Sequence, residues 1–307
     1  MNLTPYLIRG LATGGQFALV AIGYTMVYGI LKLINFAHGD LFMLSGIMMI
    51  YLAASFPTMP LWVTILIMIA LTVFVGFAIE KCAYSPLRTA PRMSVMISAI
   101  GVSYLLQNLV CYITGGLAKQ FPDIPLISQS VKILGVKDKL AVFVSPLVAV
   151  VLMVVLVLII NHTKFGMSMR AVSKDFETAQ LMGVKINRVI SMTFIIGSFL
   201  AAVGALLYFA KNTGINHMAG STPGIKAFIA AVVGGIGSVP GAVVGAFIIG
   251  ICESVIKGLD TILMANGAIT EQVGFATFSD AFTFVLLIVI LVFKPTGLFG
   301  EKTTDKV

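Results

Sequence analysis

Charge is what this sequence has least of. Only 10% of its 307 residues are charged, 20 Lys and Arg against 12 Asp and Glu, where a soluble domain carries roughly 25%. A water-exposed surface cannot be assembled from so few charges, so lipid must cover much of this one. Cysteine is scarce too. Cys82, Cys111 and Cys252 stand far apart and form no C-x-x-C pair, which reads as small buried hydrophobes rather than a redox or zinc site. No G-x-x-x-x-G-K-[ST] phosphate loop is present, so the chain should not hydrolyse ATP itself. Neither G-x-S-x-G nor H-E-x-x-H occurs, which removes the hydrolases that use them. An Arg-rich voltage-sensing helix and a T-V-G-Y-G filter are also missing. His38, His162 and His217 are far apart, with few acidic residues nearby, so no metal site is expected. No basic segment precedes the first apolar run, so no cleavable leader is expected.

What the chain has instead is apolar sequence: 59% hydrophobic residues and a mean hydropathy of +1.05. Long runs fall at about 6–29, 39–56, 61–79, 95–113, 140–160, 187–210, 226–257 and 274–293. Each reaches the length that crosses a bilayer, ~20 residues. The net charge of +8 sits in short segments between these runs, the pattern of a membrane protein rather than a nucleic-acid binder. The expected fold is an all-α polytopic membrane domain covering 1–307, with about eight transmembrane segments. One of them is broken. Gly234-Gly235-Ile236-Gly237-Ser238-Val239-Pro240-Gly241 interrupts the seventh run and is a poor continuous helix. Irregular backbone at membrane depth survives only inside protein or beside a water-filled cavity. The run 226–257 is therefore read as two short helical pieces that enter and leave on the same side.

The loops set the orientation. Segment 161–190 carries Lys164, Arg170, Lys174, Lys185 and Arg188, and 80–94 carries Lys81, Arg88 and Arg92. Both are placed in the cytoplasm, with Lys294, Lys302 and Lys306 of the tail. The loop 115–139 argues the other way: Lys119, Lys132, Lys137 and Lys139 fall outside, partly offset by Asp123 and Asp138. A weak internal repeat relates Ile34-Asn35-Phe36-Ala37-His38-Gly39 to Ile215-Asn216-His217-Met218-Ala219-Gly220. The topology puts the two hexapeptides on opposite faces, as an inverted repeat would.

Several residues could carry function. In the basic loop, Ser173 to Gly183 reads as a short helix capped by Ser173. Asp175 and Glu177 sit near its positive end, and Gly183 is its stop. Asp175, Ala179 and Gly183 share one small face that suits docking, against the plainer reading of a solvated connector. Asn35, His38 and Gly39 mark a polar bend at a membrane boundary, where function and helix capping compete. The glycines Gly234, Gly235, Gly237 and Gly241 either line a route or let helices approach closely. Gly241 to Gly245 and Gly10 to Gly14 are G-x-x-x-G steps with the same packing default. Arg9, Glu80 and Glu253 lie in or near apolar runs. Arg9 reads as snorkelling; the other two read as pore-facing or snorkelling.

Taken in order, these motifs resemble the LivH-type branched-chain amino acid permeases. The resemblance rests on Ala21 to Gly29, Ile34 to Asp40, Glu80 with Ala83 to Arg88, Ser98 to Ser103 with Gln107 and Asn108, Asp175 with Ala179 and Gly183, Lys226 to Ala242, and Pro295 to Gly300. It covers nearly the whole chain except 115–139. It implies the permease fold of an ATP-binding-cassette importer (type II-like) in the bacterial plasma membrane. It also implies a second homologous permease, two ATPase subunits, and a periplasmic or lipid-anchored binding protein that delivers leucine, isoleucine or valine. ATP would be used by the partner subunits, with no cofactor on this chain. Asp175, Ala179 and Gly183 would couple to the ATPase. Asn35, His38 and Gly39, with Gly234, Gly235, Gly237 and Gly241, would line the path. A sister permease for urea or short amides fits the same motifs. An ion-coupled carrier would need intramembrane ionisable groups that the sequence hardly offers, and a non-transport assembly protein would not need a broken span.

Overall fold

The computed structural model describes residues 3–87, 90–133, 135–265, 274–294 and 296–300. Arg88, Pro295, Lys302 and Lys306, all named above, lie outside the described residues. The principal helices are α1 (Thr4–Leu31), α2 (Ala37–Ser55), α3 (Leu61–Ile79), α4 (Arg92–Thr114), the single turn α5 (Pro125–Ser128), α6 (Leu140–His162), α7 (Lys164–Lys174), α8 (Phe176–Leu181), α9 (Ile186–Lys211), α10 (Ser221–Gly234), α11 (Val239–Ala265) and α12 (Ser279–Phe293). Eight helices among the described residues are long and apolar enough to cross a membrane. They match the eight runs read from composition.

Two short antiparallel ribbons complete the chain: β1 (Lys119–Gln120) with β4 (Gly214–Ile215), and β2 (Ser130–Ile133) with β3 (Val136–Lys139). The first ties loop 115–139 to the segment after α9. Arg9 near the start of α1 reaches Asp138 at 2.8 Å, so it is paired rather than snorkelling. These contacts put residues 115–139, 212–215 and the start of α1 at one end of the bundle. The linkers carrying α7 and α8 lie at the other.

Helix α1 is the hub. Its 28 residues span about 42 Å at ~1.5 Å per residue, and α6, α9, α10 and α11 pack around it. Small residues make this possible. A Cβ on Gly14 would stand 2.8 Å from Phe247 Cα, and one on Gly250 would stand 2.5 Å from Gly14 Cα. With lipid as apolar as the helix faces, such close backbone approach is the main source of association. The G-x-x-x-G step at Gly10–Gly14 is thus a packing device. In contrast, α4, α6 and α12 bury little of their surface and turn outward side chains such as Ile97, Leu147, Val285 and Ile288.

The seventh run departs from expectation. Its first piece, α10, has 14 residues, about 21 Å, too short for a core of ~30 Å. Its second piece, α11, has 27 residues and is a full span, not a short one. The chain between β4 and α10 lies along α2, with the Ile215 side chain near Gly46 and Gly220 against Gly39. This last contact also corrects the repeat. Gly39 and Gly220, equivalent positions of the two hexapeptides, do not lie on opposite faces. They meet, each blocking the other's Cβ: 2.8 Å to Gly220 O from Gly39 and 2.1 Å to Gly39 O from Gly220. Reciprocal contact of equivalent positions is what a two-fold relation produces at its axis.

A prediction follows from the α1–α11 seam. Gly250→Val should lower the thermal stability of the detergent-purified protein by about 2–3 kcal/mol through overpacking. Gly101→Ala, where a Cβ meets nothing within 4 Å, should change it by less than ~0.5 kcal/mol. Equal effects would refute the seam.

Candidate functional site at the bend and the helix break

The site is built where two irregular segments meet. The first is the bend between α1 and α2. Helix α1 stops at Lys32, which takes a left-handed φ of 54° while its N–H closes on the Tyr28 carbonyl. The bend then delivers Asn35 and His38, each 2% exposed, into the protein. Asn35 Oδ1 accepts from the Tyr84 hydroxyl at 2.8 Å. Tyr84 is turned inward because α3 runs on into a π-helical turn, Glu80–Tyr84, a widening of the helix common at functional sites. The same turn buries Glu80 completely. There it accepts from Ser191 at 2.8 Å, with Lys81 at 3.4 Å, so it neither faces a pore nor snorkels. His38 packs edge-on to Tyr24, ring centroids 4.9 Å apart, and against Gly23, where a side chain would collide with the imidazole. His38 Nε2, Asn35 Nδ2 and Thr25 Oγ1 make no hydrogen bond among the described residues. Two residues beyond His38, Asp40 accepts from Ser103 and from Gln107 at 2.9 Å, and Gln107 also reaches Ser221 at the start of α10.

The second segment is the break between α10 and α11. Gly235 (φ +107°) and Gly237 (φ +99°) take backbone conformations that other residues rarely adopt. Gly234 and Gly241 face each other across the turn with no room for a Cβ on either. The carbonyls of Val233 and Gly234 are satisfied by the N–H groups of Leu298 and Phe299, both at 2.9 Å. Ser238 accepts from Gly241 N–H at the start of α11. The carbonyls that end α10 are therefore engaged within the protein, which is the condition for irregular backbone in a membrane. Gly235 is buried under Gly300, whereas Gly237 is exposed.

The two segments converge. The Cβ position of Gly29 lies 3.8 Å from Gly237 Cα. A narrow cleft between them is lined by Tyr24, Tyr28, Ile34, Phe228, Ala231 and Ile236. Its walls are aromatic and branched-aliphatic, with Ile34 from the bend and Ile236 from the break. None of the expected path residues lines this cleft; Gly237 follows its wall residue Ile236 in the chain. Gly39, Gly234, Gly235 and Gly241 hold the backbones together instead, and Asn35 and His38 stand behind it.

Sequence reasoning missed a charge cluster beside the half-helix. Lys226 of α10, 7% exposed at its side chain, reaches Glu253 of α11 at 2.8 Å and Asp280 of α12 at 2.7 Å. Glu253, 4% exposed, also pairs with Lys257 one turn along. Two cations and two anions thus form a neutral set that joins three helices. Lys226 and Glu253 were both visible in the seventh run, but their pairing across 27 residues, and that of Lys226 with Asp280 across 54, was not. Among the described residues no group of three or more His, Cys, Asp or Glu stands together to hold a metal.

The basic loop also differs in detail. Ser173 lies in the last turn of α7 and bonds back to Arg170 O. The cap of α8 is Asp175, which accepts from the N–H groups of Glu177 (2.9 Å) and Thr178 (3.3 Å) and from the Thr178 hydroxyl. These bonds, the hydroxyl's first, hold the exposed Asp175 carboxyl below its ordinary range. Gly183 (φ +82°) ends the helix, with Val184 N–H closing on Ala179 O. The expected small docking face is not presented as a whole, because Ala179 is buried. Leu181 (87%) and Met182 (80%) stand out instead.

The family described as branched-chain amino acid transport system, permease component, matches residues 6–291. The permease protein BraD of Pseudomonas aeruginosa is 37% identical over 98% of this chain and 97% of its own. LivH of Escherichia coli is 33% identical over 98% and 96%. A probable LivH of Methanocaldococcus jannaschii is 28% identical over 92% and 88%. The chain belongs to the branched-chain amino acid transport permease family. As a member of that family with eight spans, it is a multi-pass protein of the bacterial inner membrane.

The charge cluster makes a prediction. Lys226→Met should destabilise this permease by about 1–3 kcal/mol, because buried Glu253 loses one of its two cationic partners and keeps Lys257. Asp280→Asn, at a side chain 51% exposed, should cost less than ~1 kcal/mol. Thermal unfolding in detergent measures both, and the reverse order would contradict the assignment.

Proposed function

We propose that this chain is the membrane-spanning permease subunit of an ATP-driven importer for leucine, isoleucine and valine. It would work with a second homologous permease, two ATPase subunits, and an extracytoplasmic protein that delivers the amino acid. The observation that carries the substrate class is likeness over 98% of the chain to permeases named for branched-chain amino acids. The cleft of Tyr24, Tyr28, Ile34, Phe228, Ala231 and Ile236 is chemically suited to a branched apolar side chain passing between bend and break. In this reading α7 and α8 lie in the cytoplasm, and the ribbon end lies outside, as the basic loops favour. The chain binds no ATP; the partner ATPases use it.

Energy would enter through the loop holding α8. Exposed Leu181 and Met182, on a capped and glycine-stopped helix, form a small apolar knob that water alone does not favour. An ATPase groove would cover it, with Asp175 and Gly183 fixing the angle of the helix that carries it and Ala179 anchoring that helix to the chain's own core.

Radiolabelled leucine uptake tests the reading, in cells lacking the chain and after its restoration, with labelled urea alongside. Loss and rescue of leucine uptake is expected, with urea uptake unaffected. Rescue of urea alone would replace the substrate. Leu181→Asp with Met182→Asp should abolish ATPase co-purification and reduce leucine uptake at least ~10-fold, as loss of a buried apolar anchor does; undiminished co-purification would contradict the docking role.

A further inference from the structure

The loop that violates the charge rule is ordered in an unusual way. In the β2–β3 ribbon, Lys132 stands directly opposite Lys137 and Ser130 opposite Lys139. Strand alternation puts these four on one face and Val131, Ile133, Val136 and Asp138 on the other. Val136 is buried, and Asp138 is spent on Arg9 at 2.8 Å. Lys139 turns to the Ala210 carbonyl at 2.7 Å. Lys132 and Lys137 are left exposed side by side. Like charges directly across a ribbon destabilise it, and no carboxylate of the ribbon shares their face. Asp123, the other acid of this loop, sits before α5, outside the ribbon.

We propose that Lys132 and Lys137 form a docking point for an acidic patch on the extracytoplasmic amino-acid-binding protein. The inference rests on the importer reading above, which places this end of the bundle outside and supplies a soluble partner there. A lipid headgroup would be met by any loose lysine at the membrane boundary and requires no fixed spacing. The ribbon instead fixes the backbones of the two lysines directly opposite each other despite the repulsion of their charges. A pair of cations rooted at one spacing matches carboxylates fixed on a folded surface. The opposed charges would guide the encounter and orient the delivered protein over the bundle, as complementary charge does at protein interfaces.

The test uses the whole importer, permeases and ATPases together, in nanodiscs. ATP hydrolysis is followed against increasing leucine-loaded binding protein. Lys132→Glu with Lys137→Glu should raise the half-saturating concentration roughly three- to tenfold. Lys132→Arg with Lys137→Arg should leave it near wild type, and added salt should weaken the wild type towards the Glu variant. An unchanged half-saturating concentration in the Glu variant overturns the proposal. So does a shift seen with anionic lipid that vanishes in neutral phosphatidylcholine, which would assign the lysines to headgroups. A wild-type importer indifferent to the binding protein would instead sink the importer reading, and this proposal with it.

Discussion

The structure depends on one constraint: inside a membrane, every backbone N–H and C=O must find a partner within the protein. Most of the chain meets it with uninterrupted helices. At the break after α10 the helix ladder stops, and the chain's own segment 298–299 supplies the missing donors to Val233 and Gly234. The region after α12 is therefore part of the broken span, not a tail behind it. The same constraint explains why the break is so rich in glycine. Two helix ends and the segment after α12 must approach at backbone distance, and a Cβ at Gly234, Gly235 or Gly241 would collide with neighbouring backbone.

Charge obeys a parallel rule. A lysine in an apolar environment is tolerated when it is paired and hydrogen-bonded. Lys226 meets that condition by bridging α11 and α12, so the half-helix α10 is held at one end by ions and at the other by backbone bonds. Between these two fixings lies the apolar cleft.

Much of this was legible in the sequence, for identifiable reasons. Spans are read from local composition: seven of the eight apolar runs became long membrane-crossing helices, and the seventh in order divided into the short α10 and the full span α11. Gly183 and the glycine run at 234–241 signal local backbone geometry, and both mark helix ends. The failures were long-range. Nothing local says that Gly39 will rest on Gly220, or that Lys226 will meet Asp280. Ser173 and Asp175 are both good caps, and only the three-dimensional end of α7 decides between them. Ala179 looked like a docking surface because helix spacing gives a face but not its direction. The π turn at Glu80–Tyr84, which turns Tyr84 onto Asn35, has no sequence signal of comparable strength.

The functional account requires the bend and the break to separate when an amino acid passes. The Cβ position of Gly29 lies 3.8 Å from Gly237 Cα, so a disulfide between cysteines placed at these two positions would tie the bend to the break. The decisive measurement is leucine uptake by a Gly29→Cys, Gly237→Cys permease, with Cys82, Cys111 and Cys252 replaced, under oxidising and then reducing conditions. Transport that stops when the bond forms and returns on reduction is the predicted result. Undiminished uptake with the bond in place would contradict the route through this cleft.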